Sequence, residues 1–191
     1  LIKELQGRPQ FTSQQFAVDA KAGKLPSVSW VYAPHDASEH APDPGDRNDP
    51  RVGNVTHGMQ WTVDQVNATV HGGLWPKTAV FITWDDWGGW YDNVDPPNVE
   101  LWKGDHKQFR YGSRVPCLVL GPYARRGHIS KVLHSHVSLL RFCEKLFGLP
   151  PLNARDAAAS DMSDCFDFAQ SPAPPPAAAG AATKRPQPAP S

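Results

Sequence analysis

The chain has 191 residues, 40% of them hydrophobic and 20% charged, which suffices for one domain with a sizeable core. Nineteen Lys and Arg balance nineteen Asp and Glu, so no overall field favours nucleic acid or an anionic membrane. Three widely spaced cysteines, Cys117, Cys143 and Cys165, form neither a disulfide framework nor a CxxC zinc motif and read as buried small hydrophobes, and no apolar run approaches the roughly 20 residues that cross a bilayer.

Along the chain, helical and extended patterns alternate. Ser13 is a candidate cap for a short helix ended by Gly23, and the β-branched and aromatic run Val28 to Tyr32 (VSWVY) predicts a strand. A polar loop rich in Pro, Asp and Gly follows from Ala33 to about Gly58; loops of that length inside a domain are usually functional or mobile. Met59, Val63, Val66 and Val70 mark one apolar face of a helix stopped by Gly72-Gly73. Thr78 to Thr83 (TAVFIT) and Val115 to Leu120 (VPCLVL) are continuous apolar runs of the kind buried on both faces in a parallel sheet, with Pro116 at the start of the second. Leu139, Leu140, Cys143, Leu146 and Phe147 outline a last amphipathic helix, closed by Gly148 and Pro150-Pro151. From about residue 170 to Ser191 the sequence is rich in Pro and Ala and reads as a disordered tail. The fold class expected from this alternation is α/β, with three layers around a mostly parallel central sheet.

Ligands of open α/β sheets collect beyond the carboxyl ends of strands, and three motifs are expected there. Asp85 and Asp86 leave the TAVFIT strand side by side, and a bound cation would relieve their repulsion; a solvated pair in a glycine-rich turn explains them equally well. His40, in Ser38-Glu39-His40, could donate to a phosphate oxygen or protonate a leaving group, or simply be solvated. His134-Ser135-His136 opens the last helix, where free amides and the helix dipole favour an anion; alternatively Ser135 only caps the helix. Most of the seven Trp residues lie beside predicted strands or helices and are expected to pack in the core or its rim. No GxSxG elbow, Walker loop or HExxH is present.

In this order, LPSVSWVYAP with SEH, WPKTAVFITWDDWGGWYDNVDPP, YGSRVPCLVLGPYARRGHIS with HSHVSLLRFCEKLFGLPPL, and RDAAASDMSDCFDF resemble the phosphoesterase family of bacterial phospholipases C and acid phosphatases, in the alkaline-phosphatase-like superfamily. The match runs from about Leu25 to Phe168. The resemblance implies that residues 1–169 are the C-terminal portion of a catalytic domain, lacking its N-terminal side. It implies a metal-dependent phosphoester hydrolase in which a Ser or Thr nucleophile forms a phosphoenzyme. On that pattern Asp85 and Asp86 hold one or more divalent metal ions, and His40 and His136 contact the phosphoryl group of a phosphate ester, a phospholipid being one candidate. The nucleophile and the remaining ligands are expected outside this chain, leaving it inactive alone, and the location implied is periplasmic or extracellular. Asp86 stands where Glu is common, Asn93 where many relatives have His, and His134 has no counterpart. A sulfatase, a phosphonate hydrolase or a glycan- or partner-binding module remain the alternatives.

Overall fold

A computed structural model describes residues 12–42, 45, 48–101 and 108–176. They fall into two compact units, 12–78 with 174–176, and Ala79–Ala173.

The first unit is a pair of helices with a tethered loop. Helix α1 spans Ser13–Lys21, and its cap is Thr12, one residue before the expected Ser13: the Thr12 hydroxyl accepts from the Gln15 amide at 3.2 Å. Helix α2 spans Val55–His71, capped by Asn54 and closed by Gly72. The two pack where side chains are smallest, with Ala20, Ala68 and Thr69 all buried. A Cβ on Gly72 would lie 1.8 Å from the Ala20 carbonyl oxygen, so this crossing requires glycine. The apolar face expected for α2 is only half-buried, and Met59 is exposed.

The VSWVY strand does not form; residues 28–32 lie outside any strand, with Trp30 and Tyr32 exposed. β-Branched and aromatic residues favour a strand only where a neighbouring edge accepts their hydrogen bonds, and among the described residues no strand pairs with this segment. The long loop is held instead by ion pairs from Arg51 to Asp36 (2.7 Å) and Asp49 (2.8 Å), and by the Gly53 amide donating to the Ser38 carbonyl. The Arg51 guanidinium holds the Asp49 carboxyl down to about 2.

In the second unit, β1 (Val80–Thr83), β2 (Asn98–Leu101), β3 (Gln108–Arg110) and β4 (Cys117–Leu120) form two two-stranded sheets, β1 with β4 and β2 with β3. Both pairings are antiparallel, with Val80 opposite Leu120 and Thr83 opposite Cys117. This corrects the expected parallel central sheet: among the described residues no parallel pair occurs. A continuous apolar run reports contact on both faces of a strand and carries no information on its partner's direction, and β1 itself is half-buried rather than fully buried.

Helix α3 (His136–Phe147) ends at Gly148, whose φ of 64° is the left-handed cap position. Its buried side differs from the expected stripe: Leu140, Leu146 and Phe147 are exposed, while Ser138 and Glu144 are buried and Phe142 joins the core. Helix α4 (Ala154–Ala158) follows, with Asp156 at 2% exposure accepting from the Leu152 amide (2.6 Å) and the Asn153 amide (2.8 Å).

The core is built by the C-terminal segment. Met162, Cys165 and Phe166 pack against Phe81, Val119, Tyr123 and Phe142, with Phe81 to Phe142 ring centroids 5.0 Å apart and Phe142 stacked on Phe166 at 5.4 Å. The Arg125 amide donates to the Cys165 carbonyl and the Asp167 amide to Tyr123, stitching this segment beside the chain that follows β4. Met162 adopts a φ of 60°, rare for a residue with a side chain, in the turn before Ser163–Cys165. The start of the expected tail is tied back by Gln170 Nε2, which donates to the carbonyls of Pro122 and Ala124, and by the Ala173 amide, which donates to Pro122. Residues 177–191 lie outside the described residues.

Candidate functional site

Strand β1 delivers Trp84, Asp85 and Asp86 to an exposed turn. Asp86 Oδ1 accepts from the Gly88 amide at 2.6 Å, which shapes the turn, and the φ values of Gly88 (65°) and Gly89 (77°) favour glycine. The chain then rises into an aromatic loop, with Trp87, Trp90 and Tyr91 exposed. Asp92 anchors that loop: its carboxylate takes Arg114 Nη2 at 2.8 Å, Nε at 3.0 Å and the Arg114 amide at 2.9 Å. The Arg114 guanidinium holds the Asp92 carboxyl well below the usual carboxylate range. Asn93 adds its Oδ1 as a further acceptor for Arg114. Asp92 and Arg114, together with Trp87, Trp90, Tyr91 and Pro116, line an open cleft of about 390 Å³.

The N-terminus of α3 comes to the same turn. The Nε2–H of His136 donates to the Trp84 carbonyl at 2.8 Å, so His136 and the Asp85-Asp86 pair, 50 residues apart in the chain, share one corner. His40 belongs to the first unit. Its amide donates to the Ser38 hydroxyl and its Nδ1–H to the Ala41 carbonyl at 2.7 Å, with the ring exposed.

Trp packing differs from expectation. Trp75 is buried, whereas Trp30, Trp84, Trp87 and Trp90 are exposed; Trp102 lies outside the described residues. The turn of Asp85 and Asp86 has backbone reasons to be bent and exposed, and the aromatic rings follow it out to solvent. The cysteine expectation holds for Cys165 alone: Cys143 is half-buried and Cys117 exposed, and all three are free thiols.

A second cluster, unseen in the sequence, lies before α3. His134 Nε2 is 3.3 Å from Asp164 Oδ1 and 2.9 Å from Ser130 Oγ, while its Nδ1 is 2.6 Å from Ser160 Oγ. Ser130 donates to Asp164 Oδ2 at 2.5 Å, and His128 Nε2 is 3.7 Å from the same oxygen. Burial opposes ionisation of Asp164, yet the Ser130 hydroxyl and the His134 ring leave its carboxyl below the ordinary range. Burial pushes the Cys165 thiol up to about 11, with Asp164 adding to the effect. His134, Asp164 and Cys165 each offer a ligand atom within 4.8 Å of the others, and no other such group of three occurs among the described residues. The signal that could have located this cluster was the RDAAASDMSDCFDF block, whose acidic and thiol residues fold back on the histidine.

No helix among the described residues is long and apolar enough to cross a membrane. Residues 3–150 match the Phosphoesterase family. The chain is 32% identical over 180 residues to "Phospholipase C B" of Mycobacterium tuberculosis, covering 83% of this chain and 33% of that protein. It is 33% identical over 178 residues to "Non-hemolytic phospholipase C" of Burkholderia pseudomallei, covering 78% and 24%. Against "Non-specific phospholipase C6" of Arabidopsis thaliana it is 27% identical over 177 residues, covering 83% and 34%. The chain thus spans about a third or less of the length of these relatives. With the match covering most of its length and the aspartate turn within it, this chain belongs to the phosphoesterase family.

Proposed function

We propose that this chain carries part of the active site of a metal-dependent phosphoester hydrolase of the phospholipase C type, with a phospholipid head-group ester as substrate class. The observation that carries the reading is the bond from His136 to the Trp84 carbonyl, which sets an imidazole at a helix N-terminus beside two adjacent carboxylates. Asp85 and the oxygen of Asp86 not engaged by Gly88 are hard donors that suit a divalent ion. Two carboxylates are too few to hold such an ion alone, so they fit as part of a larger shell. The ion, when bound, lowers the pKa of an attacking hydroxyl and neutralises phosphoryl charge.

The chain's own groups have distinct tasks. His136, held by its Nε2–H, presents Nδ1 beside the phosphoryl position, where in the doubly protonated form it donates to the negative charge. Within the first unit His40 commits its Nδ1–H to the Ala41 carbonyl, and its contact with the phosphoryl group is the role the family resemblance implies. The open cleft lined by Trp87, Trp90 and Tyr91 receives the leaving group. The Ser or Thr nucleophile is contributed from outside these residues, and the family's alkaline-phosphatase-like fold is the frame in which both antiparallel pairs would sit.

The test exchanges the matching segment of the Mycobacterium tuberculosis relative for this chain and follows hydrolysis of an aryl phosphocholine ester with added divalent metals. The chimera should turn over, the 191-residue chain alone should not, and Asp85→Ala with Asp86→Ala should lower the chimera's rate about a thousandfold. Turnover by the isolated chain would refute the divided site. A folded chimera indifferent to both aspartates would refute their role.

A further inference from the structure

We infer that His134, Asp164, Cys165 and His128 form a binding site for a zinc-class divalent ion that clips the segment before α3 to the segment ending the core. The site shares no residue with the Asp85-Asp86 turn and does not depend on the function proposed for it.

Zinc bonds of roughly 2.0 to 2.3 Å give tetrahedral ligand-to-ligand edges of roughly 3.3 to 3.7 Å. His134 Nε2 lies 3.3 Å and Cys165 Sγ 3.9 Å from Asp164 Oδ1, while His128 Nε2, 3.7 Å from the other oxygen Oδ2, stands outside this group of three and has to swing in to supply the fourth ligand. The ligand atoms of His134, Asp164 and Cys165 are mutually within 4.8 Å, so shifts of a few tenths of an ångström to about one ångström would bring these three onto one ion.

One thiol, two imidazoles and one carboxylate form a borderline-soft set that suits zinc or cobalt, whereas calcium and magnesium take oxygen. The same side chains could be read as an Asp164, His134 and Ser160 proton relay, but that would leave Cys165 and His128 without a part. Ser160 Oγ already accepts from the Met162 amide at 3.4 Å.

The outer partners are also in place. Without an ion, the Ser130 hydroxyl donates its hydrogen bond to Asp164 Oδ2, so His134 carries its hydrogen on Nε2 and donates to Ser130 Oγ, while the Ser160 hydroxyl donates to Nδ1. With an ion, His134 takes the other neutral tautomer: Nε2 binds the metal, Nδ1–H donates to Ser160 Oγ, and the Ser160 hydroxyl rotates. Such hydroxyl and carboxylate partners fix ligand orientation in metal sites. Ser130 keeps its bond to Asp164 Oδ2. The Cys165 thiol releases its proton to solvent and binds as thiolate, so one proton leaves for each ion bound.

The consequence is positional. His128 and His134 bracket the segment that leads into α3, while Asp164 and Cys165 sit in the turn beside the core residue Phe166. An ion joining them sets where α3 begins, and therefore where His136 meets the Trp84 carbonyl.

The experiment titrates the metal-free, reduced 191-residue chain with cobalt(II) and then zinc. Expected are one ion per chain, a thiolate-to-cobalt charge-transfer band in the near ultraviolet, and displacement of cobalt by zinc. Cys165→Ser abolishes the band, His134→Gln weakens affinity by about tenfold or more, and Cys117→Ser, Cys143→Ser and the Asp85→Ala/Asp86→Ala pair leave it intact. No band in the parent chain, a band that survives Cys165→Ser, or one lost with the aspartate pair overturns the proposal. Should Cys165→Ser fail to fold, alkylation of Cys165 in the parent chain, followed by peptide mass spectrometry, decides: zinc slows it if the site exists, and an unchanged rate overturns it.

Discussion

Two regions of the second unit differ in almost every physical respect. The turn and aromatic loop from Trp84 to Asp92 is exposed, held by the Asp86 to Gly88 hydrogen bond and the Asp92 to Arg114 clamp. The segment from Asp156 to Phe166 is buried at four positions, and its side chains bond to groups from residues 128 to 155. The first spends little of its chemistry on the fold and keeps carboxylates and rings available to a ligand. The second spends nearly all of it on the fold. Substitutions in the loop should therefore alter ligand chemistry with little loss of stability, and those at the buried apolar positions of the Asp156 to Phe166 segment should do the reverse.

The largest effect that sharpens this contrast is at Phe166. Its ring is 5% exposed and lies among Phe81, Phe142 and Phe168, so Phe166→Ala should cost about 3–5 kcal/mol by urea denaturation. Trp90→Ala, at 80% exposure, should stay within about 0.5 kcal/mol. Equal losses at the two positions would break the comparison.

An intermediate effect is expected at Asp156, through pH. Burial opposes its ionisation, but the Leu152 and Asn153 amides that donate to it hold the carboxyl at about 2. That lies below the unfolded value of about 3.9, so the stabilisation is complete above about pH 4 and is lost as pH falls through about 2. Urea midpoints between pH 2 and 5 should fall on acidification in the parent chain, and the slope should flatten in Asp156→Asn. An unchanged slope would assign the acid sensitivity to other carboxylates.

The contrast also accounts for what could be read from the sequence. Both long helices were legible, because Gly72-Gly73 and Gly148 end them and their apolar spacing is helical. The aspartate turn was legible because its parts are neighbours in the chain, at the end of an apolar run. VSWVY misled because strand propensity is realised only with a partner, and the parallel sheet misled because apolar runs carry no direction. The His134 cluster was invisible for a different reason. Ser130, Ser160 and Asp164 converge on one ring from up to 34 residues apart, and no local spacing encodes that approach. Glu144 and Ser138, buried on α3, escaped because polar residues are assigned to the solvent face unless a partner is known.

A small stability effect is expected where the largest functional one is proposed. Asp86→Ala removes one exposed hydrogen bond, that from the Gly88 amide, and the freed amide can turn to water; the cost in urea denaturation should be about 0.5–1 kcal/mol. Asp86→Asn keeps an acceptor at Oδ1 and should recover most of that loss. For a turn whose carboxylate serves only to bend the backbone, Asn would be an adequate replacement in every assay. If the carboxylate also holds a cation, Asn restores stability but not phosphoester turnover in the chimera, because a neutral amide oxygen neither repels Asp85 nor offers full charge to the ion. Recovery of both by Asn would reduce the aspartate pair to a turn.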